Sequence, residues 1–245
     1  MSASRLPSKL PEFVRRVIHR DQMEVDSALS QMWALATANP SLIFKLNKAR
    51  KMTKNHYYRD DPAFMVLQLL FLAVTTISFG VALGAPILLI VFNVIYQIAI
   101  DYIVLGALVA TAMWTFANRV LMGNPHSLHE VRRDVEWQYA FDIHGNSYFP
   151  YFICTHVVQF LFLPLLMHHT FFAQLLANAL YALGATLYCY VSFRSYLDLP
   201  MLTKQQLLLY PVIGIVALCV LVTVTTNISM TRFMVHHVWP AAVQV

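Results

Sequence analysis

The chain has 245 residues, 58% of them apolar and only 12% charged, with a formal net charge of +5 and a mean hydropathy of +0.58. That is too apolar for an ordinary soluble domain of this length, so composition excludes a water-soluble globular protein and points to an all-α, polytopic membrane protein. Cys154, Cys189 and Cys219 all lie in apolar runs, where they read as small buried hydrophobes rather than as disulfide or metal partners.

Residues 1–60 form a basic, cytosolic-type region that carries eleven of the seventeen lysines and arginines. No short cleavable signal is evident in it, so the first membrane helix is expected to target the chain. Pro11 to Arg20 reads as a short basic helix. Met23, Ala28, Leu29, Met32, Trp33, Leu35 and Ala36 recur at helical spacing, predicting an amphipathic helix over residues 22–38, capped by Asp21 and closed by Pro40. These helices would pack beneath a membrane domain. The basic run of residues 45–59, with Tyr57 and Tyr58 interleaved, suits juxtamembrane anchoring, contact with anionic lipid, or RNA through phosphate contacts and stacking. Arg59, Asp60, Asp61 and Pro62 mark the start of the first spanning helix, with Asp61 as cap and Pro62 in the first turn.

Five apolar segments follow, at about residues 63–83, 86–121, 149–167, 171–193 and 205–230, each near the roughly 20 residues that a bilayer crossing needs. They predict a five-helix membrane domain over residues 61–231, with a loop over 122–148 and a tail over 232–245. The links at Gly84-Ala85-Pro86 and His168-His169-Thr170 are short enough to make antiparallel hairpins. The second segment is too long for one straight crossing and should tilt, break or project beyond the surface near Trp114. Sixteen basic residues fall on one side and Arg232 alone on the other. The positive-inside bias therefore orients the N terminus and the 122–148 loop to the cytosol and the C-terminal tail to the lumen.

Residues 134–150 mix Asp134, Glu136, Asp142 and His144 with Trp137, Tyr139, Phe141, Tyr148 and Phe149. This pattern suits neither a lipid-facing helix nor a solvated linker, but fits a membrane-edge loop that docks a partner or packs on the bundle. Asn93, Gln97 and Asp101 recur at helical spacing as an intramembrane polar stripe, with Asn178, His156 and Gln159 as prospective partners. An acid at mid-membrane depth costs about 2.5–3.5 kcal/mol on insertion scales. It therefore either handles a proton or substrate or binds helices together through hydrogen bonds. His126, His129, Asp142 and His144 do not have a specific zinc spacing. No phosphate loop, His-Glu-x-x-His helix or Gly-x-Ser-x-Gly elbow occurs, so neither metal, cofactor nor catalytic group is expected.

Arg59-Asp-Asp-Pro-Ala-Phe64, together with Asp134-Val-Glu-Trp-Gln-Tyr-Ala-Phe-Asp-Ile-His144 and Tyr148-Phe-Pro150, resembles the uncoordinated-fifty (Unc-fifty) family of Golgi membrane proteins. The resemblance runs in the same order from about residue 20 to 211. It implies a multi-pass Golgi protein with a cytosolic N terminus that acts in vesicle-mediated transport and in surface delivery of membrane cargo, including acetylcholine receptors in animals. It also implies recruitment of a large Arf guanine-nucleotide exchange factor, and relatives are connected with RNA binding and the inner nuclear membrane. The N-terminal extension, the 126–129 insertion and the C-terminal tail depart from animal relatives. A Yip-type likeness rests on helix count and location alone. The leading expectation is a non-enzymatic adaptor with Trp137, Tyr139 and Phe141 as partner anchors. The alternative is a small-molecule or lipid transporter or scramblase that uses Asn93, Gln97 and Asp101. An intramembrane enzyme would need a second catalytic group at the depth of Asp101.

Overall fold

A computed structural model describes residues 23–37, 39, 41–54, 56–123 and 134–240. The expected 11–20 helix, the Asp21 cap, the Pro40 stop, His126, His129, Arg132 and Arg133 lie outside the described residues. Among the described residues, two helices precede the membrane domain, α1 (Val25–Ala36) and α2 (Ser41–Lys54). In α1, Ala28, Gln31, Met32 and Leu35 form the buried stripe that its periodicity requires. Leu29 and Trp33 share the opposite, exposed face.

The membrane domain comprises α3 (Ala63–Ala82), α4 (Ile87–Leu121), α5 (beginning as Trp137–Phe152), α6 (Phe171–Leu197) and α7 (Gln205–Thr225), followed by α8 (Met230–Val238). Among the described residues there is no strand, only an isolated bridge between Met122 and Leu202. Four helices among the described residues, α3, α4, α6 and α7, are long and apolar enough to cross a membrane. Their outward residues, such as Val81, Leu108, Ile213 and Val224, are exposed and aliphatic, as a lipid-facing surface requires.

The structure differs from the sequence expectation in three places. The stretch read as a loop is the first half of α5, and Tyr148, Phe149 and Pro150 lie inside that helix. The helix begins at Trp137 rather than near 149, continues as a π-helix over Ile153–Val158 and as an α-helix over Gln159–Leu161, and breaks at Phe162 before Leu163–Leu166. Its acids and amides hid it from a hydropathy reading, because they face protein instead of lipid. Secondly, α7 ends at Thr225, and residues 232–238 of the expected tail belong to α8, whose Val235 packs inward together with the following Trp239. Thirdly, α4 is not α-helical throughout: Gln97–Val104 and Ala117–Leu121 are π-helical.

The connections agree with local chemistry. Gly84 adopts φ 68° in the turn between α3 and α4, a left-handed conformation that favours glycine. The Thr170 hydroxyl accepts from the Ala173 amide at 3.2 Å to cap α6. Helix α3 begins at Ala63, whose amide donates to Asp61 Oδ1 at 3.2 Å, while Pro62 takes the position before the helix rather than its first turn.

Candidate functional site

The two stretches that stand out in the sequence meet in space. The Arg59 amide donates to Asp142, and the Arg59 guanidinium donates to Asn146 Oδ1 at 2.8 Å and to Gln31 Oε1 at 3.0 Å. That guanidinium also stacks over Phe64, 4.2 Å from its ring centroid. The Tyr57 amide donates to Glu136 Oε2 at 3.3 Å, and Asp61 Oδ2 accepts from the Glu24 amide at 2.9 Å. Asp60 lies 3.5 Å from His56 Nε2, which stacks against Tyr58. One arginine thus joins α1, the start of α3 and the middle of α5. One terminal nitrogen, Nη2, serves both side-chain acceptors, while the guanidinium as a whole lies over the Phe64 ring.

The anchor residues expected along 134–144 divide by environment. Asp134 is exposed and Trp137 is 37% exposed. Trp137 stacks on Phe141 with ring centroids 5.5 Å apart, and its Nε1 donates to Thr111 Oγ1 at 3.0 Å. Tyr139 is a correction to the expectation: it is 2% exposed and donates to the Ser195 carbonyl at 2.8 Å, so it packs α5 on α6 and offers a partner no surface. His144 is likewise buried, with Nδ1 2.9 Å from the Tyr188 hydroxyl and its ring against Gly106. The residues before α5 are fastened to α4, because Asn118 exchanges hydrogen bonds with the Val135 backbone at 2.8 and 3.1 Å and Trp114 Nε1 donates to the Val135 carbonyl.

The polar stripe on α4 also separates. The Asn93 side chain donates to the Val238 carbonyl at 2.9 Å and holds the end of α8. Gln97 and Asp101 instead line a cavity of about 680 Å³ bounded by α3 to α8. Gln97 Oε1 lies 3.4 Å from His156 Nε2, and Thr155 Oγ1 lies 3.0 Å from His156 Nδ1. Asn178 joins neither group. Its amide donates to Thr223 Oγ1 and the Ile228 carbonyl, and its oxygen accepts from the Met230 amide at 2.9 Å. Gln174, which the hydropathy reading passed over, donates to the Thr223 and Thr226 carbonyls. Its spacing of four from Asn178 was the available signal. Together these two amides satisfy backbone groups that the α7–α8 break leaves without helical partners, as apolar surroundings demand.

Among the described residues, no three His, Cys, Asp or Glu side chains converge in a manner that could hold a metal. A second, open concavity of about 800 Å³ lies beside α1, walled by Leu29, Met32, Trp33, Thr37, Leu42 and Phe149.

Comparison with known proteins gives the architecture a family. The UNC-50 family profile matches residues 13–239. The chain belongs to the UNC-50 family. It is 39% identical to "Protein unc-50 homolog" of Dictyostelium discoideum, over 94% of this chain and 87% of that protein. It is 37% identical to "Protein unc-50" of Caenorhabditis elegans, over 94% and 75%, and 35% identical to the Homo sapiens "Protein unc-50 homolog", over 83% and 77%. No solved structure matches. None of these three UNC-50 relatives is named as an enzyme. The Arg59 joint and the α5 helix both lie within the part of the chain that the UNC-50 profile covers.

Proposed function

We propose that this UNC-50 protein is a non-enzymatic Golgi membrane protein of vesicle-mediated transport that recruits an Arf guanine-nucleotide exchange factor and supports surface delivery of membrane cargo. The observation that carries the reading is the coupling of α1 to the bundle through Arg59 while α1 leaves Trp33 73% exposed beside an open concavity. A large exposed aromatic side chain on a fixed helix suits an interface anchor. Trp137, stacked on Phe141 next to exposed Asp134, offers a second contact in the region expected to bind a partner. In this reading the N terminus is cytosolic, the C terminus is lumenal, and the basic residues before α3 lie against anionic headgroups or RNA.

The test compares Trp33→Ala and Trp137→Ala with wild type in cells lacking the endogenous protein, scoring Golgi location, exchange-factor recruitment and cargo at the cell surface. Recruitment should fall severalfold in Trp33→Ala and less in Trp137→Ala, with Golgi location retained. Unchanged recruitment in the double variant rejects the docking role of these side chains.

A further inference from the structure

The cavity inside the bundle has features that a docking platform does not need. Two π-helical segments on different helices, Gln97–Val104 of α4 and Ile153–Val158 of α5, both contribute to its wall. Such wide turns are rare and occur frequently at functional sites. They face one another through His156 and Gln97. Asp101 lies on the first π-helical segment and lines the cavity, yet its carboxylate makes no hydrogen bond or ion pair with any described residue. Among the described residues, the wall contains no lysine or arginine. It does contain Tyr148, Tyr151, Tyr181 and Tyr188.

A carboxylate near mid-membrane without a counter-charge is a costly arrangement to maintain. Aromatic rings beside it favour an organic cation over a bare metal ion, for which the ligand cluster is absent among the described residues. The size suits a ligand of many heavy atoms. Leu105 and Val109 line the cavity, are exposed, and belong to α4, which is long and apolar enough to cross a membrane. We propose that this cavity binds the ammonium head of an amphiphile that enters from the bilayer, with Asp101 as the counter-charge, the tyrosine rings around the head and the apolar tail leaving past Leu105 and Val109. The shared chemistry belongs to choline phospholipids and to long-chain amines. The inference stands independently of exchange-factor recruitment.

The test uses the full chain in maltoside micelles, with dodecyltrimethylammonium as probe and native mass spectrometry to count and titrate bound molecules. One saturable molecule per chain is expected, with dodecanol and cholesterol binding far more weakly. Asp101→Asn should weaken the probe at least about tenfold, as removal of a charge-assisted contact does, while Asp101→Glu retains it. Ala185→Phe, which adds bulk to the wall, should abolish binding and serves as the deciding variant if Asp101→Asn does not fold. Displacement by diheptanoylphosphatidylcholine identifies a phospholipid headgroup as the source, and displacement by sphingosine alone identifies a free amine. Equal binding to Asp101→Asn and wild type, equal binding of dodecanol, or displacement by neither competitor overturns the proposal.

Discussion

Gly106 shows how closely α4 and α5 approach. A methyl group built there would lie 2.5 Å from His144 Nε2 and 2.7 Å from its Cδ2, inside van der Waals contact. The His144 ring is itself held by Tyr188, so it has little freedom to move away. Gly106→Ala should therefore destabilise the protein by about 1–3 kcal/mol despite the better helix propensity of alanine. Thermal unfolding in detergent measures this. The double variant Gly106→Ala/His144→Ala should lose less than the sum of the single changes, because the clash disappears with the ring. The glycine is visible in the sequence, but its necessity is not, since the histidine that needs the space is 38 positions away.

For the helices, polarity depends on which face a residue takes. Residues up to 148 read as a loop because acids, amides and aromatics alternate, yet 137–152 form one continuous helix, buried at every position from Ile143 to Pro150. Asp142 and Asn146 meet Arg59 of the link between α2 and α3, and His144 and Ser147 meet Tyr188 and Ser192 of α6. Periodicity alone could not separate such a protein-facing helix from a loop, because nearly all its sides are covered. The α7–α8 break follows the same logic. Gln174→Leu with Asn178→Leu removes the donors to carbonyls at 223, 226 and 228, at a cost of about 1–3 kcal/mol for each buried group left unsatisfied. The expected result is faster hydrogen exchange across residues 226–232, with that of α3 unchanged. Equal exchange in this segment would show that the amides do not hold the break.

Across the whole molecule, Arg59 determines whether the N-terminal helices move with the membrane bundle. Replacing it with alanine removes both donors to Gln31 and Asn146 and the cation over Phe64. The loss should amount to about 2–4 kcal/mol, expressed chiefly as protease sensitivity in α1 and α2 while α6 stays protected. Arg59→Lys should rescue only part of it, because a compact ammonium group does not replace the planar guanidinium over Phe64. Limited proteolysis of both variants in detergent distinguishes local uncoupling from global unfolding.

The sequence by itself determined the membrane class, the all-α architecture, four of the apolar helices and the family. Hydropathy and motif order are local properties and survive without knowledge of contacts. It also singled out the 59–62 and 134–144 stretches and the Asn93, Gln97 and Asp101 stripe. Only the tertiary structure decided that Arg59 and Asp142, 83 positions apart, form one joint. It also showed that Tyr139 points inward and that Asn93, Asp101 and Asn178 serve three different places. The physical reason is that a polar side chain in an apolar protein takes its role from whichever partner satisfies it, and that partner is chosen by packing rather than by spacing.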